Sequence, residues 1–145
     1  LAASSTRCQH TVVLPGLDEA VDLIRQELPD TIAVYRFGSG ATGHANASSD
    51  VDLAVLGGAR QDGVLRWHLQ QRLAGLLHRS VDLVDLRRAS TVLRVQVIGT
   101  GEVVFDGDPS ARAAFEAMAL GAYARLNQAR AGILADVRER GSVHG

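Results

Sequence analysis

Apolar positions along the chain recur with two different periods, and each change of period marks a new element. Leu17, Ala20, Val21, Ile24 and Leu28 follow one helical face until Pro29 stops the pattern, which predicts an amphipathic helix over 17–28. Thr31 to Phe37 (TIAVYRF) is dense in β-branched and aromatic residues and runs into Gly38-Ser39-Gly40, as a strand ending in a turn does. A second strand spans Val51 to Leu56 and closes at Gly57-Gly58. Asp62 is placed to cap a helix over 62–78, in which Leu65, Leu69, Leu73 and Leu76 share a face and Trp67 is expected in the core. Val81 to Leu86 (VDLVDL) has strand composition, as does Gly101 to Phe105 (GEVVF). Between them, residues 90–98 read as a short helix, because Ser90 can cap it and Val92, Leu93 and Val97 keep helical spacing.

Asp108-Pro109 opens the last element, a cap followed by proline at the first helical position. From there Phe115, Met118, Ala122, Leu126, Ala129, Ile133 and Val137 recur at three or four residues, which predicts one long helix to Gly141. Ala114, Ala117, Gly121 and Ala124 form a small-residue stripe beside that face; it can pack on the chain's own sheet or dock another helix. Strands interspersed with helices imply an α/β (α+β) layered domain, a small mixed sheet packed with helices. Residues 1–15 are expected to be a loose lead-in and residues 16–145 a single domain.

Composition narrows the chemistry. The 145 residues are 46% hydrophobic and 21% charged, ordinary for a globular chain, so it is expected to fold unaided. With 15 basic and 16 acidic residues, the net charge is −1, and there is no global positive field to hold a polynucleotide or an anionic membrane. All 15 basic residues are arginine, which excludes Schiff-base and phosphate-loop lysine chemistry. The single Cys8 cannot form an intramolecular disulfide, and a cytoplasmic location is the expectation. His10, His68, His78 and His144 share no zinc-ligand spacing, and His44 is read as a solvated loop residue.

The chemistry concentrates in FGSGATGHANASSDVDL, residues 37–53. Asp50 and Asp52 are two apart at the head of a strand, so their carboxylates project from one face. Paired like charges call for a counter-charge, and Mg²⁺ supplies it using one or two carboxylates, water and substrate phosphates. Gly38 and Ser39 offer backbone N–H groups and a hydroxyl at a turn, the elements of a phosphate cradle. Of the two aspartates in VDLVDL, Asp82 and Asp85, strand alternation sends the side chains to opposite faces, so only one can join such a site.

Gly38-Ser39, ten residues, then Asp50-Val51-Asp52 resembles the hallmark of the DNA polymerase β-like nucleotidyltransferase superfamily. With Gly43 and Ser49 to Leu53 it is similar to the minimal nucleotidyltransferases of prokaryotes, the MNT proteins, over roughly residues 16–141. The resemblance implies a polymerase β-like nucleotidyltransferase fold with a long carboxy-terminal helix. Asp50, Asp52 and Asp82 would then be catalytic residues holding two Mg²⁺ ions, with Gly38 and Ser39 on the ATP phosphates. It favours Asp82 as the third carboxylate and leaves Asp85 solvated or paired with Arg87 or Arg88. Many relatives carry arginine where this chain has Thr42, so phosphate charge would be balanced by metal, by backbone donors or by another arginine such as Arg36.

The short chain most resembles the stand-alone MNT antitoxins encoded beside HEPN-domain ribonuclease toxins. That resemblance implies AMP transfer from ATP to a tyrosine hydroxyl of the HEPN toxin, its partner, with no stable nucleic-acid or membrane binding. The alternatives are a non-catalytic antitoxin that neutralises by covering the toxin, and a nucleotidyltransferase acting on a small molecule or an RNA end.

Overall fold

The computed structural model describes residues 14–38 and 50–144, with side chains through residue 135. In chain order the elements are α1 (Leu17–Glu27), β1 (Thr31–Phe37), β2 (Val51–Gly57), α2 (Gly63–Leu77), β3 (Val81–Asp85), α3 (Thr91–Thr100), β4 (Glu102–Asp106) and α4 (Pro109–His144). The four strands form one mixed sheet in the order β3-β2-β1-β4. β1 pairs antiparallel with both β2 and β4, whereas β2 and β3 are parallel and joined through α2.

Three of the helix starts follow from side-chain caps. The carboxylate of Asp62 accepts the Leu65 N–H at 3.2 Å, Ser90 Oγ accepts the Leu93 N–H at 3.2 Å, and Asp108 Oδ1 accepts the Ala111 N–H at 3.1 Å. Residues 91–100, where helical and strand signals compete, are therefore a helix.

Two cores sandwich the sheet. On one face Ala20, Ile24 and Leu28 from α1 and its end meet Leu69, Leu73 and Leu77 of α2 over Val34, Leu53, Val55 and Leu83; Leu14 joins them. On the other, Val97 of α3 and Phe115 of α4 cover Ala33, Tyr35, Phe37, Ala54 and Leu56. Fully burying each such large aliphatic or aromatic side chain contributes about 1.5–3 kcal/mol, so alternation along β1 and β2 fixes which residues face which layer.

Two expectations of burial need correction. Trp67 is 55% exposed and meets the edge of His68 with ring centroids 5.2 Å apart, because the buried stripe of α2 is Leu69, Leu73 and Leu77. The long face predicted for α4 is covered only near its start. Phe115 and Ala119 are buried, while Met118, Leu120, Ile133 and Leu134 are exposed, as are Ala114, Ala117 and Ala124 of the small-residue stripe. At 1.5 Å per residue the 36-residue helix is about 54 Å long and outruns a sheet whose strands have five to seven residues. Its first turns are fixed by a polar cluster: Tyr35 donates to Glu116 Oε2 at 2.8 Å, and Arg112 bridges Glu116 and Asp106 at 3.0 Å each. Among the described residues, no helix is long and apolar enough to cross a membrane.

Candidate active site

β1 ends where β2 and β3 begin, so the last residue of one strand and the first residues of two others share one end of the sheet. The register sets Phe37 opposite Asp52, and Asp52 opposite Asp82. Strand alternation puts Asp52 and Asp82 on the face that carries α3 and α4. Asp52 is half-buried, Asp82 is exposed, and Asp50 stands exposed one step before β2.

Gly38 sits at the tip of β1 with φ +76, a conformation that favours glycine. A Cβ there would overlap the Asp52 carboxylate, with Asp52 Cγ 3.1 Å and Cβ 3.5 Å away. The turn and the carboxylate are therefore in contact, and only a residue without a side chain permits it. Ser39 lies outside the described residues, as do Thr42 and His44.

Electrostatics binds the three aspartates into one group. Burial pushes the Asp52 carboxyl above its ordinary range, and the charges of Asp82 and then Asp50 push it further. Like charges gathered without a cation repel, and among the described residues no three or more His, Cys, Asp or Glu side chains close into a metal cage. Mg²⁺ needs no such cage, since it keeps waters and takes substrate phosphates beside one or two carboxylates. This donor set, oxygen-only and partly desolvated, fits a hard divalent cation.

Asp85 lies on the same strand but on the other face and in the opposite condition. Its side chain is 1% exposed; Oδ2 accepts the Gln61 N–H at 2.8 Å, Oδ1 accepts the Arg87 N–H at 3.0 Å, and Arg88 Nε stands 3.7 Å from Oδ2. Of the two expectations for it, the arginine pairing is present and solvation is not. Arg36, considered as a phosphate counter-charge, faces away from Asp52 by strand alternation and is buried, with Glu102 nearby opposing the downward push of burial on its pKa.

A cavity of about 190 Å³ runs along the outer edge of β3, lined by Asp82, Leu83 and Asp85 of the strand, Arg66 of α2, and Arg88 and Ala89 beyond the strand. Arg66 Nη1 donates to the Leu83 carbonyl at 2.8 Å, while Gln70 Oε1 accepts the Leu83 N–H at 2.8 Å, so α2 covers the free edge there. Arg66 Nε is buried without a partner, and so are both side-chain polar atoms of Gln61, whose backbone bonds Asp85 and Arg88. Nothing in the sequence separates Arg66 and Arg88 from the other arginines; helix and loop bring them beside Asp82.

Comparison with known proteins gives the chain its relatives. A family model described as polymerase beta, nucleotidyltransferase matches residues 19–110. The protein adenylyltransferase MntA of Shewanella oneidensis strain MR-1 is 38% identical over 120 residues, covering 83% of this chain and 86% of that protein. A toxin–antitoxin crystal structure with AMP-PNP superposes with a TM-score of 0.75 at 38% identity, covering 83% of this chain and 96% of the solved one. A second, a tri-AMPylated Shewanella oneidensis HEPN toxin in complex with MNT antitoxin, gives a TM-score of 0.69 at 36% identity, covering 83% and 93%.

Proposed function

The chain belongs to the polymerase beta nucleotidyltransferase family, and from that premise we propose that it is a cytoplasmic antitoxin that transfers AMP from ATP to a tyrosine hydroxyl of a HEPN-domain toxin. The observation that carries the reading is the register of Asp52 against Asp82, with the Gly38 turn in contact with the Asp52 carboxylate. In this reading donor phosphates and acceptor hydroxyl meet at that end of the sheet. The adenylyltransferase relative and the neighbour solved with AMP-PNP support ATP as the donor, and the toxin–antitoxin neighbours support a toxin as the partner.

In this reading Gly38 and Ser39 hold the β- and γ-phosphates, and Asp50 and Asp52 would hold two Mg²⁺ ions, with Asp82 completing the set. When bound, the cations neutralise charge on the entering and leaving oxygens. Asp82, at the exposed side of the group, accepts the tyrosine proton. A free phenol has a pKa of about 10 and is a weak nucleophile at neutral pH, so this deprotonation is required. The phenolate oxygen forms a bond to the α-phosphorus, the bond to pyrophosphate breaks, and pyrophosphate leaves with the electron pair.

The test is to incubate the protein with the product of the neighbouring gene, ATP and Mg²⁺, and to weigh that product. Added AMP that disappears when the acceptor tyrosine is changed to phenylalanine is the expected result. A partner restrained on binding yet unmodified would replace this reading with neutralisation by covering.

A further inference from the structure

We propose that Gly101, at the corner between α3 and β4, is a positioning residue for the donor side of the site: it sets the place of the Phe37-Gly38 end of β1, and with it the hold on the ATP triphosphate. The inference rests on the adenylyltransferase reading above and adds to it a residue that touches no substrate.

Position is the first argument. β4 runs antiparallel to β1, so α3 hands the chain to β4 at the end of the sheet where β1 stops, and the first rung of that ladder sets Arg36 opposite Glu102. Gly101 stands one residue before that rung. On its other side β1 is held by β2, with Phe37 opposite Asp52. The end of β1 is therefore clamped between the Gly101 corner and the strand that carries Asp52, and Gly38 is the next residue out.

Space is the second. Gly101 has φ −82 and ψ 170, extended backbone that any residue adopts, so its conformation does not call for glycine. Its contacts do. A Cβ there would overlap the Val97 carbonyl oxygen and would stand 3.2 Å from the Arg36 carbonyl oxygen and 3.4 Å from Phe37 Cβ. Neither carbonyl is a side chain that can turn away. Val97 O accepts the Gly101 N–H at 2.8 Å, closing the last turn of α3, and the Val97 side chain is fully buried in the core it shares with Phe37. Relief must come from moving the corner and β1 apart. Other glycines nearby are not held this way. Gly99, in the last turn of the same helix, has nothing within 4 Å of where a Cβ would be. Gly107, at the far end of the same strand pair, would meet the tip of the Phe105 ring first, at 2.8 Å.

Leverage is the third. Gly38 lies against the Asp52 carboxylate closely enough to exclude a methyl group, so a shift of β1 at Phe37 changes both the aim of the Gly38 N–H and its contact with Asp52. Small displacements matter to a triphosphate held by backbone donors, since a misplacement of about 1 Å can cost about 10²-fold.

The proton–nitrogen NMR shift of the Gly38 amide and the affinity for AMP-PNP with Mg²⁺, measured by calorimetry on single variants, test this. Gly101→Ala should move the Gly38 amide and weaken AMP-PNP binding at least about tenfold, the cost of one charge-assisted hydrogen bond. Gly99→Ala and Gly107→Ala should leave both at wild-type values, and Gly99→Ala should raise the melting temperature, as alanine for glycine does in a helix. Phe37→Leu replaces the ring that anchors this end of β1 in the α3 core and should reproduce both changes in weaker form; it decides the matter alone should Gly101→Ala not fold. A Gly38 amide unmoved in folded Gly101→Ala, an unchanged AMP-PNP affinity, or equal losses in the Gly99 and Gly107 variants overturns the proposal. Failure of the parent reading shows elsewhere: wild-type protein that binds AMP-PNP yet passes no AMP from ATP to its partner would sink the adenylyltransferase reading and leave Gly101 in its role.

Discussion

Asp82 and Asp85 stand three residues apart on one strand and live under opposite rules. Asp85 is sealed on the α1/α2 side, with backbone donors on both oxygens and an arginine nearby. Asp82 is exposed on the other face, paired in register with a second carboxylate whose pKa it raises. The difference shows how one residue type serves two ends: a carboxylate whose donors come from the protein stabilises the fold, and one left short of donors is available to a ligand. Where partners are supplied, removing the charge should unfold; where they are withheld, it should only inactivate.

The largest expected effect lies on the withheld side. Asp82→Asn, which removes the proton acceptor, should lower AMP transfer on the order of 10²–10⁴-fold, and Asp52→Asn, which removes a carboxylate from the cation-holding set, should lower it at least as far. Because the Asp52 carboxyl is held above its ordinary range, the folded protein binds its proton more tightly than the unfolded chain does. Stability is therefore lost as pH rises through that window, and neutral asparagine should keep or raise the melting temperature at pH 7. A large loss of stability in either variant would erase the contrast.

Next comes Asp85→Ala, expected to cost about 3 kcal/mol in a denaturant melt, since it leaves the Gln61 and Arg87 backbone N–H groups without their acceptor. Activity per folded molecule should fall far less than in Asp82→Asn. Gly38→Ala sharpens the boundary between the two regimes. Its positive φ and the Asp52 carboxylate both oppose a methyl, so about 1–3 kcal/mol of strain is expected, together with weaker ATP binding measured by calorimetry.

The smallest effect tests the same rule at Glu116, a carboxylate satisfied by Tyr35 and Arg112. Burial and then Glu116 raise the Tyr35 pKa far above its usual value near 10, so the unfolded chain ionises first. Stability should be constant below about pH 10 and fall above it, and Tyr35→Phe should flatten that fall while costing about 1 kcal/mol at pH 7. Melts between pH 7 and pH 11 read both.

Local chemistry made much of this legible in sequence. β1 has the bounds that TIAVYRF between Pro29-Asp30 and Gly38 suggested, Ser90 and Asp108 cap the helices they precede, and the family follows from Gly38-Ser39 to Asp50-x-Asp52. What stayed hidden depends on coverage. The spacing of Phe115 to Ile133 is apolar along a face, but periodicity carries no information on where a five-residue strand stops supporting a long helix. Trp67 is hard to place for a related reason: α2 buries a leucine stripe, and the tryptophan lies outside it. Arg36 could not be assigned a side until the register of β1 against β2 was known. Arg66 and Arg88 come to line one cavity only through the packing of α2 on β3.

The two hydrogen bonds that α2 makes to Leu83 have a consequence for how acceptors can change over evolutionary time. An open strand edge would let any extended peptide dock through its main chain, an interaction almost blind to side chains. Here the Leu83 N–H and carbonyl are already engaged by Gln70 and Arg66. Recognition beside Asp82 is thereby left to side chains, and side chains are rewritten one codon at a time, so a lineage can drift from one acceptor to another without rebuilding the sheet.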